Sequence, residues 1–127
     1  MSRHIRLCLL ISAAILVSPA FAQDYPTKPI RFIITGGAGG STDVVARVVG
    51  DKLAAALGQP FVYDNRPGAS GIIAAENTAR SAPDGYTMYL GTTGGLAINV
   101  SLFKKLPYDP IKDFAPVSLV GTQPYML

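Results

Sequence analysis

Short apolar runs alternate along the chain with longer amphipathic stretches, and Gly- and Pro-rich breaks separate them. Pro29 to Thr35 is apolar and β-branched and ends at Gly36-Gly37, which predicts a short buried strand. Asp43 to Leu57 predicts a helix. Val44, Val45, Val48, Val49, Leu53, Ala56 and Leu57 recur at helical spacing as one stripe, with Arg47, Asp51 and Lys52 off it. Ser41 or Thr42 suits the N-cap, and Gly58 suits the C-terminal stop. The valines lower helix propensity, so this helix depends on tertiary burial. Pro60 to Tyr63 predicts a second strand, and Asp64 to Gly68 is turn chemistry. Ala69 to Ser81 predicts a second helix, with Ile72, Ile73, Ala75, Ala79 and Ala82 as its apolar side. Beyond the break at Ala82-Pro83-Asp84-Gly85, Tyr86 to Gly91 predicts a third strand. A short helix is expected from Leu96 to Phe103, a rigid connector from Leu106 to Pro110, and a fourth strand from Phe114 to Val120.

Strands alternating with helices imply βαβ units and a mainly parallel sheet covered on both faces, an α/β fold. Such sheets bind ligands beyond the carboxyl ends of their strands. Two of those ends are rich in Gly and Thr, at 35–42 and 91–95.

The first 22 residues are different material. Arg3 and Arg6 flank His4, an apolar run extends from Leu7 to Val17, and Ala20-Phe21-Ala22 is a small-x-small cleavage site. These parts predict a cleaved secretory signal, cut before Gln23. The run is well short of the roughly 20 apolar residues of a membrane span. Composition changes once the signal is set aside. The whole chain has 11 basic and 8 acidic residues, a net charge of +3, and the signal holds two of the arginines and no acid. It also holds the sole Cys and the sole His. The mature part, 23–127, is near neutral and has no basic patch to suggest a nucleic-acid partner. It has no disulfide, no His/Cys zinc site and no Ser-His-Asp or Cys-His machinery. Its carboxylates match no metal-loop pattern, so neither a metal nor a cofactor is expected.

The loop Gly37-Ala38-Gly39-Gly40-Ser41-Thr42-Asp43 joins a strand to a helix start. Glycines let backbone approach a ligand closely, and the first turn of a helix offers unpaired N–H groups and a partial positive charge. Ser41 and Thr42 add hydroxyls. Asp43 most simply complements the helix dipole, and its alternative is to hold a ligand amine, hydroxyl or bridging water. Thr92, Thr93 and Gly94 follow the same logic in the second loop. Ser70, in Asn65 to Gly71, leads into the second helix, where the N–H groups of Ala69, Ser70 and Gly71 add further donors. Arg66 is given a structural role. Dinucleotide and phosphate-loop fingerprints both fail: the glycines fit neither register of G-x-G-x-x-G, and no Lys follows them. Asn99-Val100-Ser101 fits a glycosylation acceptor by chance.

Several of these segments carry a resemblance. Tyr25-Pro26-Thr27-Lys28-Pro29-Ile30-Arg31, followed by the Gly-rich loop ending in Asp43, resembles the mature start of the Bug-type solute receptors. These are the periplasmic binding components of tripartite tricarboxylate transporters. Asp64 to Gly71 is similar to their N-R-P-G-A-G-G segment, and Ala82 to Thr87 to their P-D-G-Y-T turn. Leu106 to Val117 is similar to their L-P-Y-D-P-x-x-D-F-x-P-V run. The resemblance implies one lobe of a two-lobed, Venus-flytrap periplasmic binding protein. Its ligand would be a small carboxylate (a di- or tricarboxylate, amino acid or aromatic acid), delivered to membrane transporter subunits. It also implies carboxylate binding by backbone, hydroxyls and water at the lobe edge, without enzymatic activity. The chain departs from the family at Thr35-Gly36, which stands for Pro-Phe, and at Ala38, which stands for Pro. Residues 23–127 read as an incomplete first lobe, because Gln123 to Leu127 looks like the start of a further apolar element. The competing readings are a truncated, non-binding fragment of such a receptor and an exported hydrolase using Ser41 or Thr42. The second lacks a His or Cys partner and a G-x-S-x-G elbow.

Overall fold

A computed structural model of the chain describes residues 24–122. The expected signal segment and its cleavage site lie outside the described residues.

The sheet has three parallel strands: β1 (Ile30–Ile34), β2 (Phe61–Asn65) and β3 (Thr87–Leu90), in the order β2-β1-β3. Ile30 stands opposite Phe61, and Arg31 stands opposite Val62 and Thr87. β1 is central: apart from Arg31 its side chains are apolar, and Ile30, Ile33 and Ile34 are fully buried. Helix α1 (Ser41–Leu57) crosses from β1 to β2, and helix α2 (Ile72–Ala79) crosses from β2 to β3. α1 covers the face bearing Ile30, Phe32, Ile34 and Phe61, against which Ala46, Leu53 and Ala54 pack. Successive strand side chains alternate between faces. Ile33 therefore points to the opposite face, where α2 buries Ala74 and Ala75.

The buried face of α1 is not the expected valine stripe. Asp43, Ala46 and Gly50 are buried, whereas Val44, Val45 and Val48 are exposed. Small residues let the helix lie close to the sheet. A Cβ on Gly50 would meet Tyr63 Oη at 2.6 Å, so Tyr63 fits only because that position is bare. The helix also begins earlier than expected. Its N-cap is Gly40, with no side-chain cap, while Ser41 and Thr42 lie in the first turn. Gly58 closes it in the left-handed conformation, donating to Ala54 O at 2.9 Å, as the sequence suggested.

Four further expectations are corrected. Asp64 and Asn65 extend β2 rather than form a turn, because both pair in register with Ile33 and Ile34. The second helix is split: Ala69–Gly71 form a tight left-handed turn before α2. The expected strand at Phe114–Val120 does not form. Phe114 instead packs on Tyr89 and Tyr108, with ring centroids 5.8 and 5.9 Å apart, and Val117 and Leu119 remain about four-fifths exposed. Pro116 has no N–H for a ladder. The short helix is also compound, a π-helical turn at Gly94–Ile98 running into helix α3 (Asn99–Leu102).

The other end of the sheet is a clasp. Tyr25 donates to Gly85 O at 2.6 Å, the Thr27 N–H donates to Tyr86 Oη at 2.9 Å, and Lys28 pairs with Asp84 at 3.3 Å. The P-D-G-Y-T turn thereby fastens Tyr25–Lys28 to β3, at the opposite end from the Gly-rich loops.

Candidate ligand-binding site

All three strands point their carboxyl ends at one edge, so the loops after β1, β2 and β3 are brought together there. The loop after β1 is folded by Asp43. Its carboxylate accepts from Arg47 Nε at 3.0 Å, from the Gly39 N–H at 2.8 Å and from Asn65 Nδ2 at 3.0 Å. Those bonds, led by Arg47 and followed by Gly39 and Asn65, push its pKa down to about 2. Asn65 also donates to Gly36 O at 3.2 Å, which ties the loop to the end of β2. Thr42 donates to Thr35 O at 2.9 Å, and the Gly40 N–H donates to Gly37 O at 3.1 Å. Gly36 is confined as well, since a Cβ there would sit 2.5 Å from Thr42 Oγ1.

The expected residues therefore divide into two sets. Asp43 and Thr42 face inward and shape the loop. Their polar atoms are taken, so they position the backbone. Gly37, Ala38, Gly39, Gly40 and Ser41 are exposed along its rim, and the N–H groups of the first turn of α1 open beside them.

The loop after β2 supplies Ser70. Ala69 and Ser70 both adopt positive φ, 46° and 53°, and Gly71 follows at 88°. Gly71 is buried against its neighbours: a Cβ there would lie 2.8 Å from Thr35 Cγ2 and 3.7 Å from Gly95 Cα. The Asn99 side chain reaches across from α3 and donates to Ser70 O at 3.0 Å. Asn99 is 1% exposed, so it is no glycosylation acceptor. The loop after β3 begins with Thr92, whose hydroxyl accepts from the Gly95 N–H at 3.4 Å. Thr93 is exposed, and Gly94 lies beside Ser70 O. Tyr108 donates to Gly95 O from below, and the Thr35 hydroxyl is bonded to Tyr89 Oη at 2.8 Å. Burial pushes the Tyr89 phenol up, keeping it neutral and available for that bond.

Gly37–Asp43, Ser70 and Thr92–Gly94 thus share one edge. Tyr89, Asn99 and Tyr108 escaped the sequence reading as members of it, and Asn65 entered that reading only as the start of the stretch from Asn65 to Gly71. Tyr108 carried a signal, as the aromatic of the L-P-Y-D-P run, but Asn99 carried only an incidental sequon.

The cations around this edge are already engaged. Arg66 donates to Asp64 at 2.8 Å and Arg31 donates to the same carboxylate at 2.9 Å; the first of these bonds leads in holding Asp64 below the usual carboxylate range. Arg47 is held by Asp43 and lies 4.7 Å over the Tyr63 ring. Among the described residues, no group of three or more His, Cys, Asp or Glu side chains is placed to hold a metal. No helix among them is long and apolar enough to cross a membrane. The edge consequently offers an anion backbone N–H groups, hydroxyls and the positive end of α1.

The family profile described as "Tripartite tricarboxylate transporter family receptor" matches residues 45–127. The chain belongs to this family. Over 120 residues it is 44% identical to Protein BugT of Bordetella pertussis, an alignment covering 94% of this chain and 37% of BugT. Its fold is similar to MatC of Rhodopseudomonas palustris, solved with bound malate, at a TM-score of 0.72 and 42% identity. That match covers 76% of this chain and 33% of MatC. It is also similar to the periplasmic binding protein BugD, at a TM-score of 0.69 and 37% identity, over 72% of this chain and 30% of BugD. The chain spans about a third of the length of the curated relatives it matches. The α/β architecture is thus that of a periplasmic binding protein, and the tricarboxylate-transporter receptors are solute-binding proteins of the periplasm.

Proposed function

We propose that this chain forms the first lobe, 23–127, of a receptor that captures a small carboxylate in the periplasm for a tripartite tricarboxylate-type transporter. It is exported by a signal segment over residues 1–22, cut before Gln23, and it hands its cargo to the membrane subunits of that transporter. It binds and does not turn over its ligand. The carrying observation is the convergence of the loops at Gly37–Asp43, Ala69–Gly71 and Thr92–Gly94 on one sheet edge, with their local carboxylate, Asp43, turned inward. An anion held there meets N–H groups and hydroxyls in place of a cation, which suits a ligand that must be released again. A helix end contributes about 0.3–1 kcal/mol to a nearby exposed charge, so several groups must act together. The malate held by MatC is a cargo of this chemical class.

The test is a thermal-shift screen of the natural-length mature protein against succinate, L-malate, citrate, adipate, L-glutamate and benzoate. An acid at 100 times its dissociation constant stabilises the folded state by about 2.7 kcal/mol. No shift with any of the six overturns the reading, and so does consumption of the acid by purified protein.

A further inference from the structure

Three consecutive residues of the site, Ala69, Ser70 and Gly71, lie in the left-handed region, and the first two carry side chains. That conformation is unfavourable for residues with a Cβ and persists only where surrounding structure imposes it. Among the described residues, the side-chain bond that reaches this turn from another loop is Asn99 Nδ2 to Ser70 O, 3.0 Å. Asn99 is an odd choice for packing alone. It is 1% exposed, and its Oδ1 is buried with no hydrogen-bond partner. Turning the amide over would set Oδ1 against the Ser70 carbonyl, acceptor against acceptor, so the half-satisfied arrangement is the better of the two. Leucine, of similar size, would fill the space without the unmet amide oxygen, but it would also take away the donor that holds the Ser70 carbonyl. A half-paired buried amide is worse for stability than an apolar side chain.

We infer that Asn99 is a positioning residue for ligand binding: its Nδ2 fixes the Ser70 carbonyl and so holds the left-handed turn in its binding form. The Ala69 and Ser70 N–H groups belong to this same turn. With the carbonyl held, they are fixed relative to the Thr92–Gly94 loop, because Asn99 follows directly on the π-helical turn Gly94–Ile98. The side chain thus couples the second and third loops of the site. Irregular helical turns of this kind occur often at functional sites. The inference rests on the carboxylate reading above.

The experiment uses the natural-length mature protein and, as probe, whichever of succinate, L-malate, citrate, adipate, L-glutamate or benzoate binds most tightly by calorimetry. Asn99→Leu is expected to weaken binding at least tenfold in protein that still unfolds in a single cooperative transition. Adding Ser70→Gly is expected to recover most of that loss, because glycine adopts the left-handed conformation unaided. Asn99→Asp, nearly isosteric, places an acceptor against the Ser70 carbonyl and is expected to weaken binding as well. If Asn99→Leu does not fold, this variant and its pairing with Ser70→Gly decide the matter. Unchanged affinity in a folded Asn99 variant, or no recovery on adding Ser70→Gly, overturns the inference while the carboxylate reading stands. If none of the six acids binds the unaltered protein, both fall.

Discussion

Asp43 ties the Gly-rich loop, the end of β2 and the first turns of α1 into one unit. Since its pKa is pushed down to about 2, below the ordinary 3.8, the ionised form is favoured by folding. Its contribution to stability is complete above the ordinary carboxylate range and is lost as pH falls toward about 2. Asp43→Asn should therefore flatten the acid limb of a stability-against-pH curve in that window and raise hydrogen exchange at the Gly39 amide. An unchanged acid limb would contradict the role given to the carboxylate. Gly50 makes a second prediction at this scale. Gly50→Ala pushes a methyl group into the Tyr63 ring and should destabilise by about 1–3 kcal/mol in denaturant titration. Tyr63 is locked there: burial, aided by its bond to Asp51 at 2.6 Å, raises its pKa to about 12. Ile33, fully buried in the central strand, should lose about 2–5 kcal/mol on Ile33→Ala.

Among the elements, the strands were legible because β1 is apolar at every position but Arg31 and its neighbours are bounded by Pro and Gly. The Gly58 stop and the Pro83-Asp84-Gly85 break were legible for the same reason: their backbone demands are local. The face of α1 was not. Hydrophobic periodicity favours the valines, but close approach to the sheet favours Ala46 and Gly50, and nothing in the sequence says how near Tyr63 must come. The consequence is testable. Val44→Ser and Val48→Ser should each change stability by no more than about 0.5 kcal/mol, as exposed positions do. Ala46→Leu, facing Phe32 and Ile34, should cost about 1–3 kcal/mol by overpacking. Thermal or urea unfolding of the three variants ranks them, and the reverse ranking would overturn the assignment of the buried face. The missing strand at Phe114–Val120 has a related cause. Its composition suits a strand, but Phe114 is drawn into the aromatic contact with Tyr89 and Tyr108, and Pro116 interrupts any ladder.

For the whole molecule, the parallel order β2-β1-β3 gathers three loops at one end and leaves the clasp of Tyr25, Lys28 and Tyr86 at the other. Sequence alone singled out all three loops, because Gly, Ser and Thr after a strand announce backbone available to a ligand. The members that come from afar, Tyr89, Asn99 and Tyr108, were hidden, because each acts through a bond to a residue distant in the chain. The central claim is that one edge of the sheet receives the carboxylate. Its most direct test is amide chemical-shift mapping on the natural-length protein, titrated with the tightest-binding acid of the panel. Within residues 24–122, the largest shifts are expected at Gly37–Thr42, Ala69–Gly71 and Thr92–Gly95, with Tyr25–Lys28 and Asp84–Tyr86 unmoved. Shifts centred on the clasp, with those three loops silent, would contradict that claim.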